Sequence, residues 1–107
     1  MRASIKLSVL LAVLTPLSAN ADQTITQAIT QINYNAAADV QYYVGAATWS
    51  ASGCNPRYVT VGPSVASRAT LLALALSAYT TGKTVQFQGT CESNGNYFDA
   101  TYIIIIG

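Results

Sequence analysis

Two cysteines and four carboxylates are the side chains of this 107-residue chain whose chemistry depends on where the fold places them. Cys54 and Cys91 are too far apart in sequence for the C-x-x-C spacing of a redox-active pair, and as the only two thiols they can pair in one way. A structural disulfide is the expected outcome in an oxidising compartment. Asp22, Asp39, Glu92 and Asp99 are scattered along the chain, and no two have the spacing of a paired acid and base. Glu92 and Asp99 could meet across a terminal hairpin, although solvated surface carboxylates are the expected role. There is no histidine. That removes the commonest general base, the commonest metal ligand and the usual partner of a serine or cysteine nucleophile. Zinc would require more thiol or imidazole ligands, and calcium a denser carboxylate loop. The sequence therefore predicts no catalytic centre, no metal and no cofactor.

Binding is the remaining chemistry. One tryptophan, seven tyrosines and two phenylalanines accompany abundant Asn, Gln, Ser and Thr, a composition suited to stacking and hydrogen bonding with neutral polar ligands. Pairing of Cys54 with Cys91 would bring the loop after Trp49 beside the loop carrying Asn94, Asn96 and Tyr97. These four residues form a candidate ligand patch, against the plainer alternative that Trp49 fills a core and Asn94-Gly95 is only a turn.

The elements that position these residues follow a leader. Arg2 and Lys6 precede an apolar stretch over residues 7–17, and Ala19-Asn20-Ala21 supplies an A-x-A ending, so residues 1–21 read as a secretory signal peptide cleaved before Asp22. The apolar stretch is about half of what a bilayer-spanning helix needs. The expected mature chain, residues 22–107, is one small domain in the periplasm or outside the cell, with no membrane span after cleavage. Three basic residues, Arg57, Arg68 and Lys83, then oppose four acidic ones, for a net charge of −1. Without a cluster of Lys and Arg to displace phosphate counterions, nucleic acid is excluded as a partner.

Ile25, Ile29 and Ile32 have spacings that also fit a helix, but β-branched density favours a bulged strand over residues 24–35, with Asn33 to Asn35 turning into a second strand over 40–49. A break over 50–56 and a third strand over 57–61 follow, ended by Gly62-Pro63. Ser64 is a candidate cap for a helix that Gly82 closes, and Lys83 adds a favourable charge at its end. Alternation returns over 84–89, and the Asn94-Gly95 turn leads to a last strand over 97–106. The predicted class is mainly β with one helix, in the order β-β-β-α-β-β, which describes a small OB-fold-like barrel. The helix is apolar around its circumference, and four consecutive isoleucines, residues 103–106, point to both faces of a strand. Such surface is normally paired or covered. Leu71, Leu74, Ile103 and Ile105 are therefore the expected contacts of a homo-oligomer, unless the helix simply lies across a barrel mouth.

Several segments carry a family resemblance: Ile29-Thr30-Gln31 in the first strand, the Cys54 loop followed by a strand, the helix end Ala78-Tyr79-Thr80-Thr81-Gly82-Lys83, and the strand at Val85 to Gln88. Together they resemble the OB-fold B subunits of one-A-five-B bacterial toxins, the subtilase cytotoxin and pertussis-like group, with their secreted relatives. The resemblance implies a homopentamer that binds sialylated glycans. The family's aromatic-aromatic-serine element falls here on Gln23, Thr24 and Ile25, so its glycan contacts do not carry over. Near Val44 a family cysteine is replaced, so the disulfide arrangement differs. An exported structural or inhibitor-like module with no sugar site is the rival expectation.

Overall fold

The computed structural model describes residues 22–107; the leader assigned to residues 1–21 lies outside the described residues. Seven elements follow one another: β1 (Asp22–Gln23), β2 (Gln27–Asn35), β3 (Val40–Gly45), β4 (Tyr58–Val61), α1 (Arg68–Thr81), β5 (Thr84–Cys91) and β6 (Tyr97–Ile106). Strands β2, β3 and β4 form an antiparallel meander. β6 then pairs parallel to β4 and antiparallel to β5, and β5 returns to the start of β2. The five longer strands thus close into a ring, and the described residues are mainly β with one helix, as expected of a small OB-fold-like barrel.

Alternation along the strands sorts the side chains. Tyr43, Val59, Val85, Phe87 and Phe98 point inward and are fully buried, each contributing about 1.5–3 kcal/mol of transfer free energy. Phe87 is central, packing edge-on to Trp49 at 5.1 Å and tilted against Tyr43 at 5.4 Å between ring centroids. The polar atoms of this core are satisfied, as burial requires: the Trp49 indole donates to the Tyr43 carbonyl at 3.1 Å, and the Tyr43 hydroxyl donates to Gln41 Oε1 at 2.7 Å. Burial pushes the Tyr43 phenol above its usual pKa.

The expected bulge in the first long strand falls between Ile29 and Gln31. Strand β3, however, stops at Gly45 rather than at Trp49. From there the chain leaves the sheet, and Trp49 drops into the core from a loop anchored by its own N–H on the Pro56 carbonyl, 2.8 Å away. The helix also begins later than a cap at Ser64 implies. Residues 62–68 form successive turns, with the Val65 N–H on the Gly62 carbonyl and the Arg68 N–H on the Val65 carbonyl, and Ser67 at the N-cap makes no side-chain cap bond. Gly82 ends it in the left-handed region at φ 72°, as anticipated.

One face of α1, Leu71, Ala75 and Ala78, is buried against the barrel, where the helix contacts β2, β5 and β6. Leu74, Leu76 and Tyr79 on its remaining faces stay more than two-fifths exposed, as do Tyr102 and Ile106 on β6. Of the four residues expected at an oligomer contact, Leu71 belongs to the core of its own chain, Ile103 and Ile105 pack partly against that core, and Leu74 stands on the surface.

Two features fasten the barrel. Cys54 and Cys91 form a disulfide with their Cα atoms 6.0 Å apart, tying the β3–β4 loop to the end of β5. Strand β1 adds to β5 near the same end, Asp22 opposite Gly89 and Gln23 opposite Gln88. Thr24, just beyond it, donates its N–H to the Phe87 carbonyl at 2.9 Å while its buried hydroxyl accepts the Phe87 N–H at 3.0 Å. Where β5 and β6 shift register, between Gln88 and Gly89, the strands approach so closely that a β-carbon on Gly89 would collide with the Asp99 carbonyl.

Candidate functional site

Residues that alternate with the core positions define the outer face of β3, β4 and β6. Because Tyr42 sits opposite Thr60, and Tyr58 beside Tyr97, three tyrosines from three strands converge on that face. Tyr58 and Tyr97 stack with ring centroids 5.6 Å apart, and Tyr42 meets both, edge-on to Tyr58 at 6.0 Å and tilted to Tyr97 at 6.1 Å. All three are half-buried, so each ring is held by its neighbours yet reachable from solvent.

A groove of about 320 Å³ runs over this platform, with Asn33, Tyr34 and Asn35 of β2 along its other wall. The β2–β3 turn that closes one end is tightly organised. Asn35 Oδ1 accepts the N–H groups of Ala37 and Ala38, and Asp39 adopts a left-handed φ of 54°. The Tyr34 hydroxyl donates to Asp39 at 2.7 Å, and Arg68 at the start of α1 reaches the other Asp39 oxygen at 2.8 Å. Hydrogen bonds from Tyr34 and then Arg68 hold the Asp39 carboxyl below its usual pKa. The same bond raises the Tyr34 phenol.

On the other side of Tyr42 and Tyr97 lies a second cavity of about 190 Å³, lined also by Val40, Thr60, Glu92 and Asp99. Glu92 and Asp99, the pair that could meet across the terminal hairpin, both line this cavity, one from the β5–β6 connection and one from β6, and Asp99 stays exposed. Hydrogen bonding to Asp99, then burial, then the like charge push the Glu92 carboxyl up to about 7. The Thr60 hydroxyl donates to Asp99 Oδ1 at 2.8 Å and fixes that carboxylate from β4.

Of the four residues of the sequence-predicted ligand patch, Asn94, Asn96 and Tyr97 sit in or next to the β5–β6 connection, and Trp49 does not join them. Tyr97 is part of the platform. Trp49 is fully buried and takes no part in any surface. Asn94 accepts the Asn96 N–H within its own turn, and the Asn96 carbonyl accepts the N–H groups of Arg57 and Tyr58, which docks the loop on β4. Sequence reading missed Tyr42, Tyr58, Asn33 and Asn35; their signal was outward alternation in three strands, readable only once the strand order is known. Among the described residues no group of three or more His, Cys, Asp or Glu could hold a metal ion, and no helix is long and apolar enough to cross a membrane.

In comparisons with known proteins, no family model, no curated protein and no solved structure matches the chain.

Proposed function

We propose that this is an exported, non-catalytic binding protein that assembles with itself and holds a carbohydrate on the tyrosine platform. The observation that carries the reading is the convergence of Tyr42, Tyr58 and Tyr97 beneath a groove whose far wall carries the amides of Asn33 and Asn35. Aromatic faces offer stacking to the apolar faces of a sugar ring, and amides offer hydrogen bonds to its hydroxyls. Support at the level of fold analogy comes from position: strands two and three of an OB barrel, with the loops between strands one and two and between four and five, are its usual ligand face. In this ring those elements are β3 and β4 with the turns at 36–39 and 92–96.

Self-assembly is supported by the exposed Leu74, Leu76, Tyr79, Tyr102 and Ile106. The toxin B-subunit resemblance points to five subunits. The disulfide supports an oxidising location, the periplasm or the exterior.

A glycan array with the protein from residue 22 onward, repeated with Tyr58→Ala, tests the site. Binding to at least one glycan is expected, weakened about tenfold or more by the substitution, which is about 1.4 kcal/mol. Light scattering tests assembly: a monomer at micromolar concentration overturns that half of the proposal. An intact assembly that binds no sugar would leave the rival, a structural or interaction module.

A further inference from the structure

The smaller cavity behind the platform has a different chemistry from the groove. Its walls are two aromatic rings and two carboxyl groups: Tyr42 and Tyr97, set at 57° to one another, face a space also bounded by Glu92 and Asp99. Thr60 donates to Asp99 Oδ1 from β4 at 2.8 Å. Among the described residues no cation pairs with the two carboxyl groups. Among the described residues, Arg57 donates to the Gly45 carbonyl, Arg68 pairs with Asp39, and Lys83 lies beside Gly107. At about 190 Å³ the space holds roughly six waters at ~30 Å³ each, enough for a methylated ammonium group. The negative faces of tyrosine rings attract such a cation, and an ionised carboxylate adds to the attraction.

We propose that this cavity receives the ammonium group of a small ligand whose polar body lies across the tyrosine platform. The inference rests on the platform reading for the ligand's body, and on the cavity alone for its charge. The titratable groups around Glu92 are Asp99 and Tyr97 from β6 and Tyr42 from β3, with uncharged Thr60 from β4. A cation entering there favours ionised Glu92, so binding expels a proton from a carboxyl that otherwise titrates at about 7. Affinity therefore rises with pH.

Choline is the probe, measured by calorimetry against its neutral isostere in which a quaternary carbon replaces the nitrogen. The expected result is at least about tenfold tighter binding of choline, and a gain approaching thirtyfold between about pH 5.5 and pH 8. Glu92→Gln should abolish the pH dependence, and both it and Asp99→Asn should reduce the preference for the charged probe. Two variants guard against loss of fold in either one, which near-ultraviolet dichroism reports. Equal binding of the two probes, or an unchanged preference in both folded variants, overturns the inference. Tyr58 lines the groove and not the cavity, so the two readings fail separately. Choline binding without any glycan binding refutes the sugar platform and leaves the ammonium site standing. Glycan binding with no choline preference does the reverse.

Discussion

Asp99→Asn tests the electrostatics of the cavity without a ligand. In the native protein the hydrogen bond to Asp99 is the largest cause that lifts the Glu92 carboxyl from 4.5 to about 7. The fold thereby favours protonated Glu92. Between those two pH values the native state binds more protons than the unfolded chain, so the contribution is complete below pH 4.5 and is lost as pH rises through 7. Fully expressed, a rise of that size is worth about 3 kcal/mol; Glu92 is only half-buried, and screening by water reduces it to about 1 kcal/mol. An asparagine carries no negative charge and can donate to an ionised Glu92, so the carboxyl should return toward its ordinary range. The Thr60 hydroxyl keeps an oxygen acceptor, which limits collateral damage. The assay is urea unfolding at a series of pH values, with the Glu92 side-chain carbon followed by NMR. Native protein should lose about 1 kcal/mol between pH 4.5 and 7 at this site, and the variant should not. Asp39, whose carboxyl is held low, acts in a more acidic window and cancels in the comparison. A native Glu92 midpoint near 4.5, or an unchanged midpoint in the variant, would refute the reasoning.

Removing the disulfide by Cys54→Ala with Cys91→Ala frees a loop spanning 37 positions and should cost roughly 4 kcal/mol in urea unfolding, in the chain-entropy description. A loss under about 1 kcal/mol would mean that the unfolded chain is already compact there. Gly89→Ala places a methyl group against the Asp99 carbonyl, and the strands must part to admit it; a loss of about 3 kcal/mol or more is expected by thermal unfolding, and a neutral result would contradict the close approach.

The order of elements and the terminal strand could be read from local patterns, because Gly62-Pro63, Gly82 and Asn94-Gly95 punctuate runs of clear period. Element ends were less legible where tertiary contacts override local preference. Trp49 extends an apolar run that looks like more of β3, yet its indole is needed in the core beside Phe87, and the backbone leaves the sheet to deliver it. Ser64 has the chemistry of a cap, but a pair of turns carries the chain from Gly62 to Arg68 before the helix starts. Least legible was the site itself. Tyr42, Tyr58 and Tyr97 are far apart in sequence and meet through the parallel pairing of β4 with β6, a neighbour relation that no local pattern encodes. The all-round apolar pattern of the helix did not say which face turns inward: small residues, Ala75 and Ala78, form much of its buried face, while Leu74 and Leu76 point away from it.

Ring closure also governs how quickly the molecule can form. The seams that complete it join Gln27 to Val85 and Tyr58 to Tyr97, residues that diffuse independently until most of the chain has been made compact. Non-local pairing of this kind pushes barrels toward the millisecond-to-second range of folding times. The isoleucine-rich end of β6 pairs with the adjacent β5, but until the ring closes its apolar side chains stay exposed to other nascent chains. An early covalent link between residues 54 and 91 holds the flanks of the β4–β6 seam together during the search, so oxidation ahead of collapse shortens the vulnerable period.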